Sequence, residues 1–194
     1  MDTAGTTEKA RQGGRERSRR APRRRAGRLG PRTRKAVLIV HIAASGAWLG
    51  LDLVLGILVA TALLGGDGAA LAVAVAAFAT WPMVAVGALT LASGVVLGLG
   101  SRYGLVRYRW VLVKLVLNVV LVFLVVVALS PQVGALAGEG RAALASGGDL
   151  AFDPGMLFPP VVSSTAVAFA IAISVVKPWG RTLRGRTAVE GPAH

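Results

Sequence analysis

The chain has 194 residues, of which 54% are hydrophobic and a further 25 are glycine, and its mean hydropathy is +0.64. Soluble domains are less apolar, at about 45–50% even when glycine is counted, so the composition predicts an integral membrane protein. The absence of cysteine excludes disulfides, thiolate metal sites and thiol redox chemistry. Two histidines and three methionines also disfavour a copper or zinc site with several protein ligands.

The positive charge is concentrated at the N-terminus. The net charge is +13, and residues 1–35 contribute +10 of it through eleven arginines and two lysines against three acids. This segment has no aromatic residue and no apolar run, so it is predicted to be a disordered, Arg-rich cytoplasmic tail that contacts anionic lipid headgroups. Nucleic-acid binding is disfavoured because no stacking aromatics lie between the arginines. A secretion signal is disfavoured because the following apolar run is longer than the usual h-region of about 7–15 residues.

The first apolar segment is the most informative part of the chain. Residues 36–60 are predicted to span the membrane, since about 20 apolar residues suffice. On a helix, four polar or aromatic side chains of this segment fall within an arc of roughly 60°: His41, Ser45, Trp48 and Asp52. A histidine and an aspartate inside a membrane span are costly, which makes them the first candidates for a function.

Glycines give the predicted helices surfaces for close contact. Gly46 and Gly50 form a GxxxG pair on the side of the first helix opposite His41, and Gly94 and Gly98 lie close to one stripe of the second span. Small residues at these spacings let helix backbones approach each other. The sequence therefore predicts helix packing at these four glycines and leaves a homo-oligomer open.

Three further spans follow in chain order, at residues 80–100, 110–130 and 159–176. Residues 69–82 are apolar but interrupted by Pro82, so the second membrane element is predicted to be kinked there or to begin there. Residues 131–158 are predicted to be the longest connection of the membrane part.

The basic residues outside the spans predict the orientation. Apart from Arg141, they lie in the N-terminal tail, in residues 101–109 and in residues 177–186. Since lysine and arginine favour the cytoplasmic side, both termini are predicted to be cytoplasmic. A composition high in Ala, Gly, Val and Arg suggests a GC-rich bacterial genome, and hence the bacterial cytoplasmic (inner) membrane. The predicted fold class is all-α: an integral membrane four-helix bundle over residues 36–180, with a disordered basic N-terminal tail and a short cytoplasmic tail at residues 181–194.

Depth along the helices divides the polar residues into two layers. Eleven residues separate His41 from Asp52, which at about 1.5 Å per residue is roughly 16 Å, too far for both to ligate one ion. In the inner layer, His41 lies at the depth of Lys114 on the third span, with Asn118 one turn deeper and Trp110 one turn shallower. A neutral imidazole there can bind a heme iron, relay a proton or accept a hydrogen bond from Lys114. The alternatives are that Lys114 snorkels to the headgroups and that His41 is a structural donor between helices.

The outer layer is centred on Asp52. Donors at a matching depth lie on the second and fourth spans: Ser163, Ser164, Thr165, Thr80 and Trp81. Either these donors hold Asp52 as a carboxylate or the group is protonated and neutral. An interhelical hydrogen-bond clamp is favoured over a proton or cation site.

Two patterns in the chain resemble a known superfamily. They are His41 followed by WLG at residues 48–50, and RWVLVK at residues 109–114. They are similar to small bacterial integral membrane proteins of unknown function that sit near the copper-resistance D proteins, and more remotely to the membrane protoporphyrinogen oxidases of heme synthesis. The resemblance implies a helical membrane fold for residues 36–180. In the oxidases a first-span histidine and a later-span lysine are associated with heme binding and activity, and His41 and Lys114 are the matching positions.

Three functional hypotheses follow. The favoured one is a non-enzymatic structural, partner-binding or permeation-related module, because the sequence contains no nucleophile triad, phosphate-binding glycine loop, metal-spaced cluster or nucleotide fingerprint. The alternative is a heme-binding membrane redox protein in which His41, Lys114 and Asn118 contact the cofactor. The third is proton-coupled transport through Asp52.

Overall fold

The computed structural model describes residues 29–100 and 108–176, and the regular elements in these ranges are helices. In chain order they are α1 Pro31–Leu63, α2 Gly68–Ala79, α3 Trp81–Leu99, α4 Arg109–Leu124, a π-helical turn Val125–Leu129, α5 Ser130–Ser146, a 3-10 turn Pro154–Leu157 and α6 Phe158–Val176. The predicted all-α class is confirmed. Most of the predicted N-terminal tail, residues 1–28, lies outside the described residues, as do residues 101–107 and the chain from residue 177 onward.

Four stretches are long and apolar enough to cross a membrane: Pro31–Leu63, Gly68–Leu99, Arg109–Ser146 and Pro154–Val176. Their outward surfaces carry large apolar side chains that a water-soluble bundle would bury; Ile39, Leu53 and Phe123 are 61–67% exposed. Polar side chains are buried inside instead: Asp52, Thr90, Ser93 and Ser163. An apolar exterior around a partly polar interior is the arrangement of an integral membrane four-helix bundle.

Neighbouring helices of the bundle run antiparallel. α1 packs against α3 and α6, and α4 packs against the same two helices. The first turns of α1 and α4 therefore lie at the same end as the last turns of α3 and α6. We call this the basic end, because Arg32, Arg34, Lys35 and Arg109 lie there. The opposite end, where residues 64–67 and 147–153 connect the helices, is called the loop end.

The second membrane element is broken close to Pro82. α2 ends at Ala79, Thr80 has φ −93° and ψ −109°, and Pro82 lies in the first turn of α3. Proline is tolerated in a first turn because its missing N–H has no partner there in any case. The sequence predicts this interruption, and the backbone of Thr80 supplies it.

The third membrane helix is longer than the sequence predicts. A connection is expected from residue 131, whereas the chain continues through the π-helical turn into α5 and ends its helix at Ser146. Pro131 has no N–H for the carbonyl one turn before it, and the Ser130 hydroxyl donates to the Val125 carbonyl at 2.8 Å. The wider π turn absorbs this local mismatch without ending the helix.

α2, α5 and the last turns of α1 form a cap at the loop end. α5 packs so closely along α2 that a Cβ on Gly140 would lie 2.7 Å from the Ala69 carbonyl oxygen and 2.9 Å from the Ala72 Cβ. Phe152, from the segment that follows α5, is buried in the same apolar cluster. The largest contiguous core of the molecule therefore reaches from this cap into the bundle, and its buried members include Leu55, Val59, Val75, Met83 and Val133.

Candidate functional site in the bundle interior

His41 is fixed by α3 through one ring nitrogen. Its Nδ1 lies 3.1 Å from the Thr90 carbonyl oxygen and 2.9 Å from the Ser93 Oγ. A carbonyl oxygen only accepts, so Nδ1 carries the hydrogen, and in the neutral ring Nε2 keeps its lone pair. Gly94 permits this approach, since a Cβ there would lie 3.2 Å from the ring Cε1. The ring is half-buried, and among the described residues Nε2 has no hydrogen-bond partner.

Lys114 belongs to the same layer but is anchored separately. Its Nζ donates a hydrogen bond to the Ser174 Oγ of α6 at 2.9 Å and lies 4.8 Å from a Trp110 ring centroid, a cation–π geometry. The ammonium is close enough for its charge to act on the His41 ring. The structure therefore brings His41 and Lys114 into electrostatic range, while their hydrogen bonds go to different helices.

Two buried oxygens lie deeper in the bundle than this pair. Thr90 Oγ1 and Asn118 Oδ1 are buried, and within the described ranges neither has a hydrogen-bond partner. Gly87 of α3 lies against Val122 of α4, so in these antiparallel helices Thr90 and Asn118 are at nearly the same depth. One layer deeper than His41 and Lys114, two side-chain oxygens can therefore form hydrogen bonds that the described side chains do not provide.

Asp52 and its neighbours form the outer layer, nearer the loop end. Trp48 and Asp52 are 1% and 3% exposed. The Trp48 indole Nε1 donates to the Ser163 Oγ of α6 at 2.9 Å, and the Ser163 hydroxyl also interacts with the Asp52 carboxyl group. Asp52 Oδ2 is buried with no hydrogen-bond partner among the described residues. One serine therefore connects both side chains of α1 to α6, and one carboxyl oxygen remains unsatisfied.

The other hydroxyls that the sequence places near Asp52 are used within α6. Ser164 and Thr165 donate to the Val161 carbonyl at 3.1 and 2.7 Å. Of these three consecutive residues, the structure brings Ser163 alone to Asp52.

Thr80 and Trp81, which the sequence places at the depth of Asp52 as possible donors, also lie outside this layer. Thr80 donates to the Ala76 carbonyl of its own helix at 2.8 Å. The Trp81 side chain is 82% exposed. Neither residue takes part in the outer layer.

The four glycines predicted to pack between helices divide into two pairs. Gly94 lies against His41, and Gly98 is buried in α3. A Cβ on Gly46 or Gly50 would meet nothing within 4 Å, and both residues are exposed. The GxxxG face of α1 therefore lies on the outside of the bundle.

Three residues of the site are not singled out by the sequence analysis: Thr90, Ser93 and Ser174. Each is a hydroxyl in an otherwise apolar span, and Thr90 and Ser93 are three residues apart, on one helix face. That signal is present in the sequence. Which helix face meets His41 depends on the rotation of each helix about its axis. The spacing of residues in the sequence does not reveal that rotation.

The polar groups of the described interior take part in hydrogen bonds. Within residues 29–100 and 108–176, no group of three or more His, Cys, Asp or Glu side chains is placed to hold a metal ion. Comparisons with family models, curated proteins and solved structures find no match. The fold and the interior thus define the class as a multi-pass helical membrane protein with a partly polar core.

Proposed function

We propose that this protein is a non-enzymatic, permeation-related module of the bacterial cytoplasmic membrane, whose bundle interior takes up protons or small polar species. The observation that carries the proposal is the set of three buried oxygens without hydrogen-bond partners in the described interior: Asp52 Oδ2, Thr90 Oγ1 and Asn118 Oδ1. They belong to α1, α3 and α4, which together with α6 enclose the interior.

An unsatisfied polar group is costly in this environment. Burying one without a partner costs on the order of 1–3 kcal/mol in proteins, and lipid supplies no replacement partner. Three such oxygens in a bundle whose remaining interior is largely apolar favour a guest that supplies the missing hydrogen bonds. A proton or a water molecule is small enough to do so without displacing the packed helices.

The orientation proposed for this module follows the basic residues. With the basic end in the cytoplasm, the Arg-rich tail lies beside anionic lipid headgroups, which attract it electrostatically. His41 and Lys114 are then the polar groups nearer the cytoplasm, and Asp52 is nearer the external face.

Flux through liposomes tests the proposal. The full-length protein, reconstituted with an internal pH-sensitive dye, is expected to dissipate an imposed pH gradient faster than protein-free liposomes do. Asp52→Asn should remove the difference, because it removes the ionisable oxygen from the interior. Asp149→Asn is the matched control, since Asp149 is exposed at the loop end. Wild-type rates equal to those of empty liposomes contradict permeation.

Heme binding is the second candidate, and the anchoring of His41 is the observation that favours it. A histidine ligand commonly donates its other ring N–H to a backbone carbonyl, as Nδ1 does here to Thr90. His41 would hold the heme iron through Nε2, and the nearby Lys114 cation would favour the acidic groups of the cofactor. A bound heme would supply one-electron redox chemistry, and His41 would supply one nitrogen ligand whose orientation Thr90 fixes.

Absorbance of the purified protein tests this second candidate. Protein from heme-replete cells is expected to show a Soret band that His41→Ala removes. Ser164→Ala is a control, because its hydroxyl bonds within α6. Colourless wild-type protein eliminates the heme hypothesis and leaves the permeation proposal untouched.

A further inference from the structure

The Asp52 carboxyl group is the most enclosed ionisable group of the described residues, at 3% exposure. The Ser163 hydroxyl is a polar neighbour of this carboxyl group. That hydroxyl accepts from the Trp48 indole, so its own hydrogen is left to donate to Asp52. Trp48, Ser163 and Asp52 therefore form one polar cluster between α1 and α6, in which Oδ2 of Asp52 has no hydrogen-bond partner among the described residues.

We infer that Asp52 is a reversible proton-binding site in the bundle interior. The inference rests on the proposed function in one respect: it names the proton as the species that the interior takes up. The site itself consists of Asp52, Ser163 and Trp48.

Among the described residues, no opposite charge is placed to balance an ionised Asp52. The helices that pack against α1 along its length are α2, α3 and α6, and none of them contains a charged or titratable side chain. On α1 itself the other such group in the interior is His41, and on α4 it is Lys114, whose charge acts on His41. Asp153, before the 3-10 turn, is exposed and accepts a hydrogen bond from the Gly155 amide at 2.8 Å. Among the described residues, no charged side chain acts on Asp52.

Protonation also changes the hydrogen bonding that the unsatisfied Oδ2 requires. In a helical interior the backbone N–H groups are already used, so an ionised oxygen needs a donor that is scarce there. A protonated Oδ2 is itself a donor, and helix carbonyls accept a second hydrogen bond. The hydroxyls of this chain do this repeatedly, as when Ser45 donates to the His41 carbonyl at 2.8 Å and Ser174 to the Ala170 carbonyl at 2.7 Å. The proton thus converts an atom that needs a scarce donor into a donor itself.

A metal cation fits the same place less well. Hard cations such as calcium and magnesium take about six to eight oxygen ligands. Here the described side chains supply the Asp52 carboxyl and one hydroxyl, one of whose two lone pairs is already used by Trp48, so the ligands are far fewer than such a cation takes. The proton needs a single oxygen, which this site provides.

Asp52 lies nearer the loop end of α1 than the basic end. Eleven residues, or about 16 Å of helix, separate it from Leu63 at the loop end, against 21 residues, or about 31 Å, to Pro31 at the basic end. Ser163 lies five residues into α6, which begins at the loop end. Leu55 and Val59, which follow Asp52 on α1, are buried in the apolar core on this side, so packed side chains separate the carboxyl group from the nearer end of the helix.

Labelling with dicyclohexylcarbodiimide tests the site in the full-length protein in detergent. This lipophilic reagent adds to a protonated carboxyl group and rearranges to a stable N-acylurea, which peptide mass analysis locates. Asp52 is expected to be the main modified residue. Its labelling rate should fall as the pH is raised, by about tenfold per unit once the carboxyl is mostly ionised.

Three variants complete the experiment. Asp52→Asn should abolish the labelling, and Asp149→Asn should leave it unchanged because Asp149 is exposed at the loop end. Ser163→Ala should keep the label but shift its pH profile, because the donor to the carboxyl is removed. Absence of label at Asp52, or a rate that does not change with pH, overturns the proton site, and the wild-type measurement alone suffices for this. Labelling as expected without proton flux in liposomes leaves the proton site standing and refutes permeation.

Discussion

A single side chain of this interior can contact two residues of a neighbouring helix, and Ser163 is the clearest case. It accepts from the buried Trp48 indole and interacts with Asp52, both on α1. Its neighbour Ser164 bonds to its own helix. Two adjacent serines therefore provide a matched comparison between a hydroxyl that joins helices and one that does not.

Ser163→Ala is expected to lower the free energy of unfolding by about 1–2 kcal/mol, because it leaves the indole N–H buried without an acceptor. Thermal unfolding in detergent, followed by circular dichroism, measures the change. Ser164→Ala should unfold within error of the wild type, since its hydroxyl contributes nothing between helices. An equal loss of stability in both variants would mean that Ser163 is not an interhelical contact.

At the residue scale, the sequence identifies the face but not the partners. The spacing of His41, Ser45, Trp48 and Asp52 is enough to place them on one side of a helix. Three consecutive hydroxyls on the fourth span look equivalent in the sequence. Adjacent residues on a helix diverge by about 100°, so when Ser163 faces α1, Ser164 and Thr165 turn away and bond to Val161. The rotation of each helix, which spacing leaves undetermined, decides which residue is in the site.

At the element scale, the third membrane helix shows how local signals mislead. Pro131 and five glycines between residues 134 and 148 favour a loop. The structure keeps the helix because the π turn accommodates the proline and because α5 packs against α2 at one of these glycines. Gly140 permits the close approach of α2, whereas a Cβ on Gly138 would meet nothing within 4 Å. Tertiary packing thus overrides the propensity of the segment.

The contact between α2 and α5 should be sensitive to one methyl group. In Gly140→Ala the new Cβ falls 2.7 Å from a backbone oxygen of Ala69, so α5 has to move away from α2. The structure describes Arg141, next to this contact, as an exposed residue of intact helix. Limited trypsin digestion of the variant is expected to cut after Arg141 at least several times faster than in the wild type.

Gly138→Ala is the control for this cleavage. Its Cβ meets nothing, and alanine favours a helix over glycine by about 1 kcal/mol, so the rate of cutting should stay the same or decrease. If Gly140→Ala is as resistant to trypsin as the wild type, the close packing of α2 on α5 is not required to hold α5 in place.

At the scale of the whole molecule, the helices are longer than a bilayer is thick. α1 has 33 residues, and the third membrane helix runs for 38, or about 50 and 57 Å against a hydrocarbon core of about 30 Å. Because α5 is the far part of that third helix, it is expected to leave the lipid at the loop end with α2 packed beside it. The sequence predicts four crossings and their direction; the cap follows only from the length of the third helix.

Single cysteines distinguish the cap from the lipid-embedded part, since the chain has no cysteine of its own. Ala145 in α5 and Phe123 in α4 are both exposed in the structure. In whole cells a membrane-impermeant maleimide is expected to label Ala145→Cys and to leave Phe123→Cys unlabelled, because lipid covers the second position but not the first. Labelling of Ala145→Cys only after the cells are opened would place the loop end in the cytoplasm and reverse the proposed orientation. Equal labelling of both variants would mean that α4 does not face lipid. The interpretation of the apolar outer surface as a lipid-facing surface would then be wrong.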